Sequence, residues 1–140
     1  MKKNIMKTIT TWKHDMAFES EMEGHHISMD GGLDKNGTRL GFSPKALLLA
    51  GLAGCSGIDV VEILKKMKVP FSKFVVNAEA EQTDEHPKVF KDITLVYISD
   101  VAEADREKLK HAIELSINKY CGVAAMLKKN SVIHYRIELN

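Results

Sequence analysis

From Ile5 to Lys13 the side chains alternate, with Ile5, Lys7, Ile9 and Thr11 on one side and Met6, Thr8, Thr10 and Trp12 on the other, which is the two-residue period of a strand. Ala17 to Met22 and His25 to Asp30 are two further short strands separated at Glu23-Gly24, so the first thirty residues read as an antiparallel meander. Gly31 to Phe42, GGLDKNGTRLGF, has little apolar content and marks a loop of the length that often carries function. The period then changes. Ser43 offers an oxygen to the first free amides and Pro44 stands where no hydrogen bond is lost, so a helix starts there. It runs to Met67, roughly 36 Å at about 1.5 Å per residue. Ala46 to Ala53 is apolar on nearly every side, which predicts burial all round. After Ile58 the residues Ile58, Val61, Leu64 and Met67 recur at helical spacing against Asp59, Glu62, Lys65 and Lys66.

Val69-Pro70 ends this helix, and Lys73 to Glu81 alternates again. Gln82 to Pro87 forms a turn, and Val89 to Ser99 brings Ile93, Leu95 and Tyr97 to one face, which predicts a hairpin. From about Asp105, Leu109, Ile113, Ser116/Ile117 and Tyr120 return at helical spacing. Cys121-Gly122 interrupts them, Val123, Met126 and Leu127 continue a short second helix, and Asn130 closes it. Val132 to Leu139 is a last strand, with Ile133, Tyr135, Ile137 and Leu139 opposite His134, Arg136 and Glu138. Antiparallel strands with segregated helices predict an α+β fold, as one domain over residues 1–140. A helix apolar on all sides needs more cover than one small sheet gives, so an obligate homodimer is expected.

The composition is that of a soluble globular protein: 44% hydrophobic and 28% charged residues, with a net charge of +1 and dispersed basic residues. No nucleic-acid footprint and no patch for an acidic membrane is therefore expected. The basic opening MKKNIMK leads into polar, alternating ITTWKHDM, neither a signal peptide's apolar core nor a membrane span, so the expected address is cytoplasmic. In that compartment two cysteines are reduced bystanders, metal ligands or a redox pair. There is no CxxC, HxxxH or HExxH, and the six histidines are scattered, so neither a metal nor another cofactor is expected. A serine elbow and a phosphate loop are missing too. Met6, Met16, Met22, Met29, Met67 and Met126 read as core filler, and the charges at 103–110 as a solvated helix face.

Gly51, Gly54 and Gly57 stand three apart inside the long helix, and each costs about 1 kcal/mol relative to alanine. Either another backbone approaches closely, or they form a shallow floor for a ligand beside Cys55. Gly51 is one turn before Cys55 and Asp59 one turn after it. Taken alone, a cysteine in an apolar helix is a small core residue, and a nearby aspartate opposes thiolate formation.

The two cysteine contexts carry a resemblance. SPKALLLAGLAGCSGIDVVEIL, followed sixty-six positions after Cys55 by KYCGVAAML around Cys121, resembles the OsmC/Ohr family of osmotically inducible and organic hydroperoxide resistance proteins. The strand and helix order and the HPKVFKDITLVY hairpin are similar as well, so the likeness extends over essentially the whole chain. It implies an OsmC-like fold, an intertwined homodimer with two long helices packed centrally, and a thiol-dependent peroxidase. Cys55 would attack an organic hydroperoxide and Cys121 would resolve the sulfenic acid as a disulfide. A dithiol reductant, such as a lipoylated protein, or a small thiol would restore both. The apolar helix favours a peroxide with a hydrocarbon tail, since each buried methylene contributes about 0.8 kcal/mol.

Two positions depart from the hydroperoxide-resistance branch. That branch places an arginine between its first strands and a glutamate after the helix-opening proline; here WKHDMAFESE has no arginine and the residue after Pro44 is Lys45. The GCSGIDVV sequence is similar to another OsmC-like branch. A fast peroxidatic cysteine needs a nearby cation. Arg39, alone in the glycine-rich loop, is either that cation or a solvated loop charge, with Lys45 the reserve candidate; Arg106 and Arg136 read as surface charges. The alternative function is a dimer that binds an apolar small molecule with little or no peroxidase activity.

Overall fold

Residues 9–30 form the meander that their alternation predicts: β1 (Ile9–His14), β2 (Ala17–Met22) and β3 (His25–Asp30), in that order and antiparallel throughout. The computed structural model describes residues 4–33 and 35–140, and the first three residues of the basic opening and Asp34 of the loop lie outside these. Glu23 and Gly24, at φ 49° and 82°, make the tight turn between β2 and β3, whose handedness suits a two-residue hairpin. β1 begins at Ile9 and not at Ile5, because β2 offers six residues and Ile9 already faces Glu21 near its end. The loop that follows folds back onto β3. Asp30 N donates to Phe42 O at 2.9 Å and Phe42 N to Ser28 O at 3.1 Å. Gly41 lies so close to the Ser28 carbonyl that a Cβ there would collide with backbone, so glycine is required. These residues belong to a compact unit spanning 1–48; residues 49–140 form a second.

α1 (Pro44–Lys66) starts as predicted, with Ala46 N donating to Ser43 Oγ at 3.3 Å. Its buried line differs from the predicted one. Leu52, Ser56, Val60 and Leu64 recur every four residues and are fully buried, whereas Ile58 is 70% exposed. Hydrophobicity marks both sides of this helix, and only packing selects one. Of the stretch Ala46 to Ala53, expected to be buried all round, only Leu52 is buried within the chain. By length and composition α1 could cross a membrane, but its inward line packs into the protein core.

In the second unit, β4 (Phe74–Gln82) and β5 (Phe90–Ser99) form the expected antiparallel hairpin, Phe74 facing Ser99. α2 (Arg106–Leu115), a π turn (Ser116–Tyr120) and α3 (Gly122–Leu127) lead to β6 (Val132–Leu139). β6 pairs with β5 in parallel, Asp92 facing Val132 and Ser99 facing Leu139, so the all-antiparallel expectation is wrong for this strand. The helical segment between β5 and β6 is long enough to carry the chain back to the starting end, as parallel pairing requires. Among the described residues there are thus two three-stranded sheets, β1-β2-β3 and β4-β5-β6, and the class is α+β. The core lies among the inward line of α1, Ile93, Leu95 and Tyr97 of β5, and Leu109, Ala112 and Ile113 of α2. The methionines are mostly not core filler: Met6, Met16, Met22 and Met126 are exposed, and Met29 and Met67 are half-buried. Tyr120, placed by spacing on the inner helix face, is exposed because the π turn rotates it outward.

Candidate active site

Cys55 on α1 is half-buried, and Cys121, between the π turn and α3, is 3% exposed. The Cys121 amide donates to Ser116 O at 2.7 Å, closing the π turn. Its sulfur caps α3, accepting from Ala124 N at 3.3 Å. The structure brings the two cysteines together, near enough for Cys55 to act on the Cys121 thiol. Burial first, and then the neighbouring Cys55 thiol, push the Cys121 thiol up to about 11 against the smaller pull of the Ala124 amide. Cys121 therefore keeps its proton at neutral pH, since a buried charge beside a second sulfur is disfavoured. Both thiols are free.

Beside the pair lies a line of polar groups that hydrophobic pattern alone did not reveal. Tyr97 Oη on β5 is 2.6 Å from Ser56 Oγ on α1. Ser116 Oγ, on the π turn, is 2.9 Å from Ser56 Oγ and 3.0 Å from Asp59 Oδ2. A hydroxyl has one proton, so Ser116 donates to one of two acceptors, Ser56 Oγ or Asp59 Oδ2, and Ser56 is the link between the phenol and this pair. Tyr97, Ser56 and Ser116 are fully buried, while Asp59 reaches an open pocket of about 440 Å³ lined also by Glu62, Ile63, Lys66, Leu115 and Tyr120. Burial pushes Tyr97 up to about 12, which keeps it a proton donor. The available sequence signal was two serines at inward positions of otherwise apolar helix faces.

Among the described residues no other backbone approaches the three helix glycines. A Cβ at Gly51 or Gly54 would meet nothing within 4 Å, and one at Gly57 would rest on Val76 Cγ2 at 3.6 Å, an ordinary contact. Gly54 and Gly57 line an open, mainly apolar groove of about 460 Å³ with Ile58, Val61, Glu62, Lys65 and Phe74. Arg39 belongs to the first unit, where its guanidinium donates to Asp30 O at 3.0 Å. Asp30 organises that loop, accepting from Gly32 N at 3.0 Å and Leu40 N at 3.1 Å. These amides, with the Arg39 charge assisting, hold the Asp30 carboxyl below the usual range. Among the described residues no group of three His, Cys, Asp or Glu side chains is placed to hold a metal.

Residues 34–136, which include both cysteines, match the family model of OsmC-like proteins. Protein YhfA of Escherichia coli K12 is 33% identical over 135 residues, covering 96% of this chain and 98% of YhfA. A hypothetical protein from Aquifex aeolicus VF5 has the same fold at TM-score 0.81 and 26% identity, with 99% of each chain covered. The organic hydroperoxide resistance protein OhrB of Bacillus subtilis shares the fold alone, at TM-score 0.67 and 15% identity over 96% of this chain and 98% of OhrB. With a family match across both cysteine segments and a relative aligned nearly end to end, the chain belongs to the OsmC-like family.

Proposed function

We propose that this protein is a thiol-dependent peroxidase for organic hydroperoxides, working as a single OsmC-like domain over residues 1–140 in a homodimer. The observation that carries the reading is the neighbouring pair of free thiols, one half-buried and one buried. The Cys55 thiolate attacks the terminal peroxide oxygen; an S–O bond forms, the O–O bond breaks, and the alkoxide takes a proton to leave as an alcohol. The Cys121 sulfur then attacks the sulfenic sulfur; the S–S bond forms, the S–O bond breaks, and the hydroxyl leaves with the Cys121 proton as water. A dithiol reductant, such as a lipoylated protein, exchanges with the disulfide and returns two thiols. Arg39 is the candidate cation for the Cys55 thiolate.

The groove that begins at Gly54, beside Cys55, suits an apolar tail. Exposed Leu48 and Ile58 support a second copy as cover for α1, because such area is rarely left open on a monomer. A reducing cytoplasm is the compartment in which a thiol pair works by cycling. The reading is tested by mixing reduced protein with one equivalent of cumene hydroperoxide and measuring intact mass and non-reducing peptides. The expected product has lost two hydrogens and links Cys55 to Cys121. Unchanged mass, with neither a disulfide nor an oxygen on Cys55, overturns it in favour of an apolar-ligand binder.

A further inference from the structure

The π turn at Ser116–Tyr120 leads directly into Cys121 and binds its amide, and a π turn is rare because it is less favourable than a continued α-helix. Such a turn persists where contacts around it hold it. Here Ser116 Oγ reaches across to α1, 3.0 Å from Asp59 Oδ2 and 2.9 Å from Ser56 Oγ, and the Lys128 ammonium donates to Ile117 O at 2.8 Å and Asn118 Oδ1 at 2.9 Å. Each cysteine is one link from this anchor: Cys55 precedes Ser56 in the chain, and the Cys121 amide is bonded to the Ser116 carbonyl. Relaxing the π turn to α geometry would turn everything after it by about 100°, the angle of one residue in an α-helix. A disulfide accepts only a narrow range of Cα separations, about 4.4 to 6.8 Å, so such a rotation would part the thiols.

We infer that Ser116 and Asp59 are positioning residues that anchor the π turn to α1 and so hold Cys121 against Cys55 for disulfide closure. The inference rests on the peroxidase reading for its biological meaning, but the positioning itself is a property of the thiol pair and is measurable without peroxide. Neither residue touches the reacting sulfur atoms in this role. In the closing step Cys121 forms the S–S bond as the Cys55 S–O bond breaks, and the proton leaves in the water. Ser116 and Asp59 add nothing to that balance; they fix the approach.

The test equilibrates the full chain, as wild type, Ser116→Ala, Ser116→Thr and Asp59→Ala, with mixtures of reduced and oxidised dithiothreitol. The Cys55–Cys121 disulfide is quantified by mass. Ser116→Ala should lower its equilibrium constant about tenfold, an upward shift of about 30 mV for a two-electron couple. Ser116→Thr, which keeps the hydroxyl, should restore the wild-type value. Asp59→Ala, at the solvent end of the anchor, gives a smaller drop of about threefold and serves if Ser116→Ala does not fold. In a parallel single turnover with cumene hydroperoxide, Ser116→Ala should form the Cys55 sulfenic acid at the wild-type rate, close the disulfide slowly, and accumulate sulfinic acid. Equal disulfide potentials in wild type and both alanine variants overturn the inference even if wild type consumes peroxide. A wild type that is inert to peroxide overturns the peroxidase reading, while a tenfold drop in the dithiothreitol arm still supports the anchor.

Discussion

The buried hydrogen-bond chain makes an unequal prediction for two of its links. Tyr97→Phe removes the phenol hydroxyl and leaves the ring packed near Phe74 and Tyr135, at centroid distances of 6.3 and 6.4 Å. Ser56 loses one partner but keeps its bond with Ser116, so the cost is that of one ordinary hydrogen bond, about 1 kcal/mol. Ser56→Ala removes the middle link and strands the Tyr97 hydroxyl in a fully buried site. A stranded buried donor costs about 1 to 3 kcal/mol beyond the bond itself; alanine's better helix propensity returns about 0.5 kcal/mol. The net is about 2 kcal/mol. Adding Tyr97→Phe to Ser56→Ala removes the stranded group, so the double variant should be about 1 kcal/mol more stable than Ser56→Ala alone. The assay is urea unfolding of the reduced protein at one fixed concentration, because the midpoint of any chain that self-associates depends on concentration. With a slope of about 2 kcal/mol per molar urea, that recovery moves the midpoint up by about 0.5 M. Additive losses, or a Tyr97→Phe loss as large as that of Ser56→Ala, would refute Ser56 as the middle link of the chain.

Other outcomes follow from the same geometry. Cys55→Ser should abolish peroxide consumption, while Cys121→Ser should allow one attack and then over-oxidation at Cys55, both seen by mass after a peroxide pulse; equal loss without trapped oxygen contradicts the roles. At pH 8 iodoacetamide should label Cys55 but not Cys121 in the folded protein, because burial holds the Cys121 thiol near 11; peptide mapping that finds rapid labelling of Cys121 would contradict its burial. Arg39→Ala should shift the pH profile of Cys55 alkylation upward and slow peroxide reduction together, and an unchanged profile removes Arg39 as the cation. Asp100 accepts from the Ser72 hydroxyl and the Ser72 and Lys73 amides, which lower its carboxyl to about 2. Its folded value lies below its unfolded one, so the stability it gives is full above about pH 4 and is lost as pH falls toward 2. Urea midpoints of wild type and Asp100→Asn should converge across that window.

What the sequence conveyed well was periodicity. The six strands and the helices read from alternation and helical spacing all exist, and β2, β3 and β6 have the predicted ends. Direction was less legible, since a strand's pattern is the same whichever way its neighbour runs. The long helical connection before β6 was the available clue to parallel pairing. The inward side of α1 is hidden from the pattern because its apolar residues lie all round, and a serine, Ser56, marks the buried line. Tyr97, Ser56 and Ser116 form one network although they lie 41 and 60 positions apart in the pairs Ser56–Tyr97 and Ser56–Ser116. Only folding brings them together. The sequence contexts of Cys55 and Cys121 single them out, and their proximity in the fold is geometry that spacing could not provide.

Parallel pairing of β6 with β5 has a consequence for biosynthesis. β5 is the middle strand of its sheet, yet its second neighbour is made only after α2, the π turn and α3 have been translated. Until residues 132–139 leave the ribosome, β5 presents an open edge beside Ile93, Leu95 and Tyr97, the kind of edge on which nascent chains pair wrongly. The hairpin with β4 can form early, but closure of the unit waits for the last strand. Nascent chains stalled before Val132 are therefore the ones expected to engage chaperones, and release past Leu139 is the step that should free them.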